Sequence, residues 1–107
     1  AMLVASDNKL DNLTIVCDSN GSQVRCLNIT NLDEKMRSFG AETYEVDGHD
    51  LDEIQNALMS SQDTVKCINA RTKKGYGLKT LEENFLEWHR KSPDLNTFEE
   101  MMAEFNA

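Results

Sequence analysis

The sequence predicts an α/β fold in which about three parallel strands and their flanking helices form part of a doubly wound, three-layer domain. Three short apolar stretches rich in β-branched residues alternate with two segments whose apolar residues recur at helical spacing. The connections between the apolar stretches are long enough to hold a helix. Such alternation is typical of parallel strands joined by right-handed crossovers, so a partial, Rossmann-like sheet is expected.

The first strand is predicted at 13–17, a run apolar enough to be buried on both faces. A polar turn, Asp-Ser-Asn-Gly-Ser, follows directly at 18–22. Open parallel sheets bind ligands beyond the carboxyl ends of their strands, so this turn is well placed for a binding site.

The first helix is predicted from an apolar stripe that shares one helical face: Leu32, Met36 and Phe39. Asn31 and Glu34 form a capping pattern before it, and Gly40 is a stop signal. A second strand is expected from Thr43 to Val46.

The second helix is predicted from Asp50 with Glu53, another capping pair, and from a stripe that consists of Leu51, Ile54 and Leu58. A third strand is expected from Thr64 to Ala70, after a loop at 60–63. All of these elements fit in a single partial domain covering residues 1–107.

The stretch from Arg71 to Asn96 is predicted to be mainly a long loop, with a helical turn near 81–85. A last helix is predicted after it, capped by Thr97 and Glu100. Its stripe consists of Phe98, Met101, Met102 and Phe105. A stripe of this kind belongs to the core or, at a chain terminus, docks on a second subunit.

The composition limits the classes of partner. The net charge of −8 argues against binding nucleic acid or anionic lipid, and no apolar run is long enough to span a bilayer. The sequence shows no export signal, and its three cysteines form neither an even disulfide set nor a CxxC metal pattern. These features predict a reducing, cytoplasmic location.

Four sets of residues are candidates for chemistry. The oxygens of Asp18, Ser19 and Asn20 suit a Mg²⁺ ion held mainly through a ligand's phosphates, although the same residue types make ordinary turns. His89, beside the only tryptophan, could donate to a phosphate or act in proton transfer, or be a surface histidine. His49 is explained as well by capping or exposure as by chemistry.

A local basic patch consists of Arg71, Lys73, Lys74 and Lys79. It lacks the phosphate-loop pattern and is interpreted as a solvated loop.

Several segments resemble, in order, the carboxyl-terminal part of the amino-terminal domain of transketolases. The segment NKLDNLTIVCDSNGSQ resembles the strand and turn that close the thiamine diphosphate motif of that family. The segment FGAETYEVDGHDLDEIQNAL resembles the next helix, strand and helix, and INARTKKGYGLKTLEENFLEWHRKSP resembles the following strand and loop. The similarity covers nearly the whole chain.

The resemblance implies specific roles. Asn20 matches the family asparagine that binds the divalent metal through its side chain, and Ser22 matches a residue that binds it through a main-chain carbonyl. His89 matches a histidine near the cofactor diphosphate and the reacting centre. Thiamine diphosphate and Mg²⁺ are therefore the expected cofactors, Asn20, Ser22 and His89 the cofactor-binding residues, and His89 the catalytic candidate.

The chain also departs from the family pattern. The Gly-Asp-Gly half of the motif, whose aspartate is the main metal carboxylate, does not occur before Asn20, and Arg25 with Cys26 replaces an expected Asp-Gly pair. Arg90 replaces the glycine after the histidine.

Two functions are compatible with this pattern. The chain is a transketolase-like fragment or split subunit that contributes part of a thiamine diphosphate site for ketol transfer and is inactive alone, or it is a non-catalytic remnant that binds a partner or itself. A homo-oligomer or a complementing transketolase-like chain is the expected partner, and a sugar phosphate is the substrate only of a complete assembly.

Overall fold

The chain folds around one small parallel sheet. The structure, a computed structural model, describes the backbone of all 107 residues and every side chain except that of Arg25. The three strands are β1 (Thr14–Ser19), β2 (Glu42–Asp47) and β3 (Lys66–Arg71). The five helices are α1 (Met2–Asp7), α2 (Leu32–Ser38), α3 (Leu51–Met59), α4 (Lys79–Glu83) and α5 (Leu95–Phe105).

The strand order is β1-β3-β2, with both pairs parallel. Lys66 of β3 aligns with Thr14 on one side and with Glu42 on the other, so the three strands start level and end level. Their last residues are Ser19, Arg71 and Asp47. The predicted α/β fold with three parallel strands is confirmed, and all three carboxyl ends lie along one edge of the sheet.

Helices cover both faces of β3. On one face, α1 and α2 enclose a cluster formed by Ala5, Ala41, Val65 and Cys67. On the other face, α3 packs on a cluster formed by Val46, Ala57, Ile68 and Ala70. Helix α1 has too short an apolar pattern to be recognised in the sequence, although its Ala5 is buried.

The prediction that the first strand is buried on both faces was wrong. Val16 is 57% exposed, whereas Ile68 on the neighbouring strand is fully buried. The reason is position: β1 pairs only with β3, and α3 packs over β2 and β3, so the Val16 side of β1 lies open.

The capping pattern predicted for α2 is only half right. Asn31 has a left-handed backbone (φ 52°), and its side chain donates to Glu34 Oε2 at 3.1 Å instead of accepting from a backbone N–H. The stop signal is confirmed: Gly40 has φ 86°, its N–H donates to the Arg37 carbonyl and the next N–H to the Met36 carbonyl. This pair of bonds is the Schellman motif that ends helices at glycine.

Helix α3 begins as predicted. The carboxylate of Asp50 accepts hydrogen bonds from the backbone N–H groups of Asp52 and Glu53, at 2.9 and 3.1 Å. Its predicted stripe is partly wrong, because Ala57 is the buried residue while Leu51 is 81% exposed. A stripe read from large residues overlooks a small side chain that lies closest to the sheet.

The long segment after β3 is mostly loop, as predicted, with one short helix (α4) and one 3-10 turn, Glu87–His89. The predicted caps of α5 were wrong, since Asp94 is the cap and accepts from the Thr97 N–H at 2.9 Å. Of the predicted stripe only Met101 is buried, and Phe105 remains 70% exposed.

The molecule is elongated, with principal extents of 53 × 31 × 18 Å and a radius of gyration of 17.3 Å. A compact domain of this length has a radius of gyration of about 13 Å. Within the described part of the chain, every helix is too short or too polar to cross a bilayer.

Candidate functional site

The polar segment 18–22 lies at the carboxyl edge of the sheet, as expected from the sequence, but its first two residues, Asp18 and Ser19, are the last residues of β1. It leads into a 3-10 turn, Ser22–Arg25, and borders a cleft of about 490 Å³ whose other wall comes from the start of α2. Asn20 and Ser22 both line this cleft, so the structure brings together the two residues predicted to hold a metal. Gly21 between them has φ 72°, a backbone conformation that glycine adopts without strain.

The side chain of Asn20 closes the turn on itself. Its amide oxygen accepts from the Ser22 backbone N–H at 2.9 Å and from the Ser22 hydroxyl at 2.6 Å. Its amide nitrogen donates to Asp18 Oδ2 at 2.7 Å. This arrangement is an Asx-turn, which fixes the shape of the loop without help from other elements.

Two further side chains tie the turn to β3. The other oxygen of Asp18 accepts from the hydroxyl of Thr72, and the Ser19 hydroxyl donates to the Asn69 amide oxygen at 2.5 Å. Asn69 is only 5% exposed and donates onward to Asp33 Oδ2 at 3.4 Å. The turn is therefore anchored to the end of the central strand by two side-chain hydrogen bonds.

The donors present fit part of a magnesium site. An amide oxygen, a hydroxyl and main-chain carbonyls are the hard oxygen ligands that Mg²⁺ prefers. Both lone pairs of the Asn20 amide oxygen accept hydrogen bonds. One of these bonds comes from the Ser22 hydroxyl, and rotation of the Ser22 side chain would free that lone pair for a metal. Among the described residues no cluster of three His, Cys, Asp or Glu side chains could hold a metal ion. The donor types around Asn20 and Ser22 thus fit part of such a site and do not complete it.

His89 lies apart from this cleft. It ends the 3-10 turn Glu87–His89, is exposed, and its Nδ1 lies 2.5 Å from the Nζ of Lys74. It is not among the residues that line the cleft of Asn20 and Ser22. Its catalytic and cofactor-binding role stays a prediction.

His49 is better connected than the sequence indicated. Its Nε2 accepts the backbone N–H of Lys73 at 2.8 Å, and its ring stacks on Tyr76 with centroids 3.8 Å apart and an interplanar angle of 16°. These contacts join the turn after β2 to the loop after β3. They could not be read from the sequence because both partners are distant in it, and a histidine in a turn has no periodic signal.

The basic patch is largely neutralised within the chain. Arg71 pairs with Glu45 at 2.7 Å, Lys73 contacts the Glu82 carboxylate, and Lys79 lies 3.7 Å from Glu83. Hydrogen bonds from Lys73 and from the Gly77 N–H lower the pKa of Glu82 below its ordinary 4.5. The patch is thus a paired, solvated loop rather than an open anion site.

The fold and the polar turn define a doubly wound α/β protein with a polar-walled cleft at the carboxyl edge of its sheet. No protein-family model matches the chain. Two curated relatives do, and each is named as one of the subunits of an apulose-4-phosphate transketolase. The one from Actinobacillus succinogenes is 37% identical over 100 residues, which covers 87% of this chain and 36% of the relative.

The second relative, from Phocaeicola vulgatus, is 25% identical over 112 aligned positions, covering 97% of this chain and 40% of the relative. The chain therefore spans well under half the length of these relatives. The resemblance to transketolases is confirmed by both: the sequence is transketolase-like, and it corresponds to one part of such a protein.

Proposed function

We propose that this chain is one partial thiamine diphosphate-binding domain, residues 1–107, of a split transketolase, and that it supplies some of the Mg²⁺ and diphosphate ligands while a complementing chain supplies the others. The observation that carries the proposal is the anchored turn at the end of β1, where Asn20 and Ser22 line one cleft. The names of the two relatives denote one subunit of a larger enzyme, which supports a partner chain.

The chain's own residues would act by binding and orientation. Asn20 would give its amide oxygen, and Ser22 a main-chain carbonyl, to a metal that neutralises the diphosphate. When bound, thiamine diphosphate supplies the carbanion chemistry of two-carbon ketol transfer between sugar phosphates. The anchoring of Asp18 and Ser19 to β3 would keep the turn in place, and the three free thiols suit a reducing compartment such as the cytoplasm.

Calorimetric titration of the chain with thiamine diphosphate and Mg²⁺ tests this function. Binding that is measurable for the natural sequence and lost in Asn20→Ala supports it. The matched control is Asn12→Ala, an exposed asparagine before the amino-terminal end of β1, which should leave the binding heat unchanged. Heat that survives Asn20→Ala contradicts the proposal, and heat that is absent from the natural chain contradicts cofactor binding by this chain without its complement.

A second candidate function, a non-catalytic module that associates with itself, is favoured by the apolar surface of α5. Phe98, Met102 and Phe105 on this helix are 49%, 40% and 70% exposed. Large exposed apolar surfaces of this kind mark interaction sites. Under this alternative, native mass spectrometry should detect a dimer at micromolar concentration. The substitution Phe105→Glu should dissociate this dimer. The control Leu51→Glu, on α3, should leave it intact. A monomer in that measurement argues against self-association.

A further inference from the structure

The contact between Lys74 and His89 has a chemical consequence for the imidazole. The two nitrogens, Lys74 Nζ and His89 Nδ1, lie 2.5 Å apart. A lysine ammonium has three donors and no acceptor, so His89 Nδ1 must be the acceptor and carry no proton. In the neutral ring the proton then resides on Nε2, which faces away from the lysine.

The loop that carries Lys74 is held at several points. The N–H of the preceding residue, Lys73, donates to His49, and the Tyr76 ring stacks on the same imidazole. Further along the loop, the N–H of Gly77 donates to Glu82 Oε1 at 3.0 Å. Lys74 therefore projects from a stretch of backbone that is held on both sides.

Packing at Gly75 adds a further restraint. This residue has φ 80°, and a Cβ placed on it would lie 2.5 Å from the Cβ of Leu81. The loop therefore approaches α4 as closely as a glycine allows. The path of this loop is defined both by hydrogen bonds and by close packing.

We propose that Lys74 is a positioning residue that holds His89 as the Nε2–H tautomer, so that this histidine presents a hydrogen-bond donor to solvent. The use of that donor toward a cofactor phosphate rests on the proposed function, whereas the tautomer itself does not. Of the two roles the sequence allowed for His89, the contact favours donation to a phosphate over proton acceptance at Nδ1. Protonating Nδ1 would place a second donor against the lysine ammonium.

The chain contains only two histidines, and the structure assigns them opposite tautomers. His49 Nε2 accepts the Lys73 N–H, so its neutral ring carries the proton on Nδ1. The neutral ring of His89 instead carries its proton on Nε2. This opposition gives a spectroscopic signature that a purely structural role for Lys74 would not produce.

The proposal is tested with imidazole nitrogen–proton correlation spectra of the full ¹⁵N-labelled chain. The spectra are recorded at a pH at which both imidazole rings are neutral. His49→Gln and His89→Gln each remove one signal and so assign the spectrum. We expect a Nδ1–H pattern for His49 and a Nε2–H pattern for His89. A Nδ1–H pattern for His89 in the natural chain overturns the proposal.

Lys74→Glu sharpens the test, because a carboxylate at this place accepts a hydrogen bond and should invert His89 to the Nδ1–H tautomer. The control Lys79→Glu makes the same charge change at a side chain that is 78% exposed, and should not alter His89. The His49 pattern reports whether the loop is still folded. If Lys74→Glu disturbs the His49 pattern, Lys74→Met replaces it as the test variant. For Lys74→Met we expect a mixture of both His89 tautomers. A pure Nε2–H pattern that is unchanged from the natural chain contradicts the proposal. Neither result depends on cofactor binding, so failure here and failure of the proposed function remain distinguishable.

Discussion

The ammonium group of Lys66 donates a hydrogen bond to the main-chain carbonyl of Ser60 at 2.5 Å. Lys66 lies in the central strand and is only 1% exposed. It also donates to the Ala57 carbonyl at 3.0 Å and the Leu58 carbonyl at 3.3 Å, and its Nζ lies 5.7 Å from the centroid of the Tyr44 ring. These carbonyls form the C-terminal end of α3, where a positive charge interacts favourably with the helix dipole.

The substitution Lys66→Met should destabilise the fold. It keeps the length of the side chain but removes the ammonium donor. The Ala57 carbonyl still accepts from the Ser60 hydroxyl at 2.8 Å, whereas the Leu58 and Ser60 carbonyls lose the lysine donor. Each buried polar group left unsatisfied costs about 1–3 kcal/mol. Chemical denaturation should show a loss of about this size in the free energy of unfolding. The control Lys79→Met, on the exposed face of α4, should stay within about 0.5 kcal/mol of the natural chain. An equally small effect of Lys66→Met would mean that water replaces the lysine.

Cys67 should resist alkylation in the folded chain. Burial, and then the neighbouring Cys17 and Asp33, raise the pKa of its thiol from 9.0 to about 12, and the thiolate is the reactive form. Iodoacetamide followed by peptide mass spectrometry should therefore label the exposed Cys26 rapidly and Cys67 only after denaturation. Rapid labelling of Cys67 without denaturant would show that β3 opens locally.

The same shift predicts a pH dependence. Because the pKa of folded Cys67 lies above its ordinary value of 9.0, the stabilisation from this thiol is complete below pH 9.0 and declines as the pH rises toward about 12. Denaturation curves should lose stability in that alkaline window. A Cys67→Ala variant should show a smaller alkaline loss.

The backbone N–H of Lys73 should exchange slowly with solvent because His49 Nε2 accepts its hydrogen bond. His49→Phe preserves an aromatic ring for stacking on Tyr76 but removes the acceptor, so exchange at Lys73 should accelerate. Residue-resolved hydrogen exchange measures this difference. Exchange at Ile68, in the middle of β3, is the internal reference and should not change.

The Gly77 amide should report the ionisation of Glu82. Since the pKa of folded Glu82 lies below its ordinary 4.5, the contribution of this carboxylate to holding the loop is present above pH 4.5 and is lost as the pH falls through the folded value. The proton shift of the Gly77 amide should titrate with a midpoint below 4.5, and Glu82→Gln should abolish that titration. Glu83→Gln, at the adjacent exposed carboxylate, should leave it intact.

The sequence could predict the elements that depend on local chemistry. The three strands, the Asp50 cap and the Gly40 stop all follow from residue types within a few positions of each other. The resemblance to transketolases was also readable, because collinear segments carry it. The same collinear match singled out Asn20 and Ser22, whose metal-binding role stays a prediction.

Other features depend on strand order and long-range contacts, which local patterns do not encode. The exposure of Val16 results from the edge position of β1, and the burial of Lys66 results from the way α3 ends above it. The contacts of His49 with Lys73 and Tyr76 likewise need the turn after β2 and the loop after β3 to meet in space. A lysine inside a predicted strand could have prompted a search for carbonyl partners, but nothing in the sequence names them.

The strand order also determines when folding can begin during synthesis. The last strand to be made, Lys66–Arg71, is the one on which both earlier strands pair, and those two do not touch each other. Within residues 1–107 these strands can therefore pair only after Lys66–Arg71 has left the ribosome. Among these three strands, β1 and β2 therefore have no pairing partner in a chain that is interrupted before Lys66.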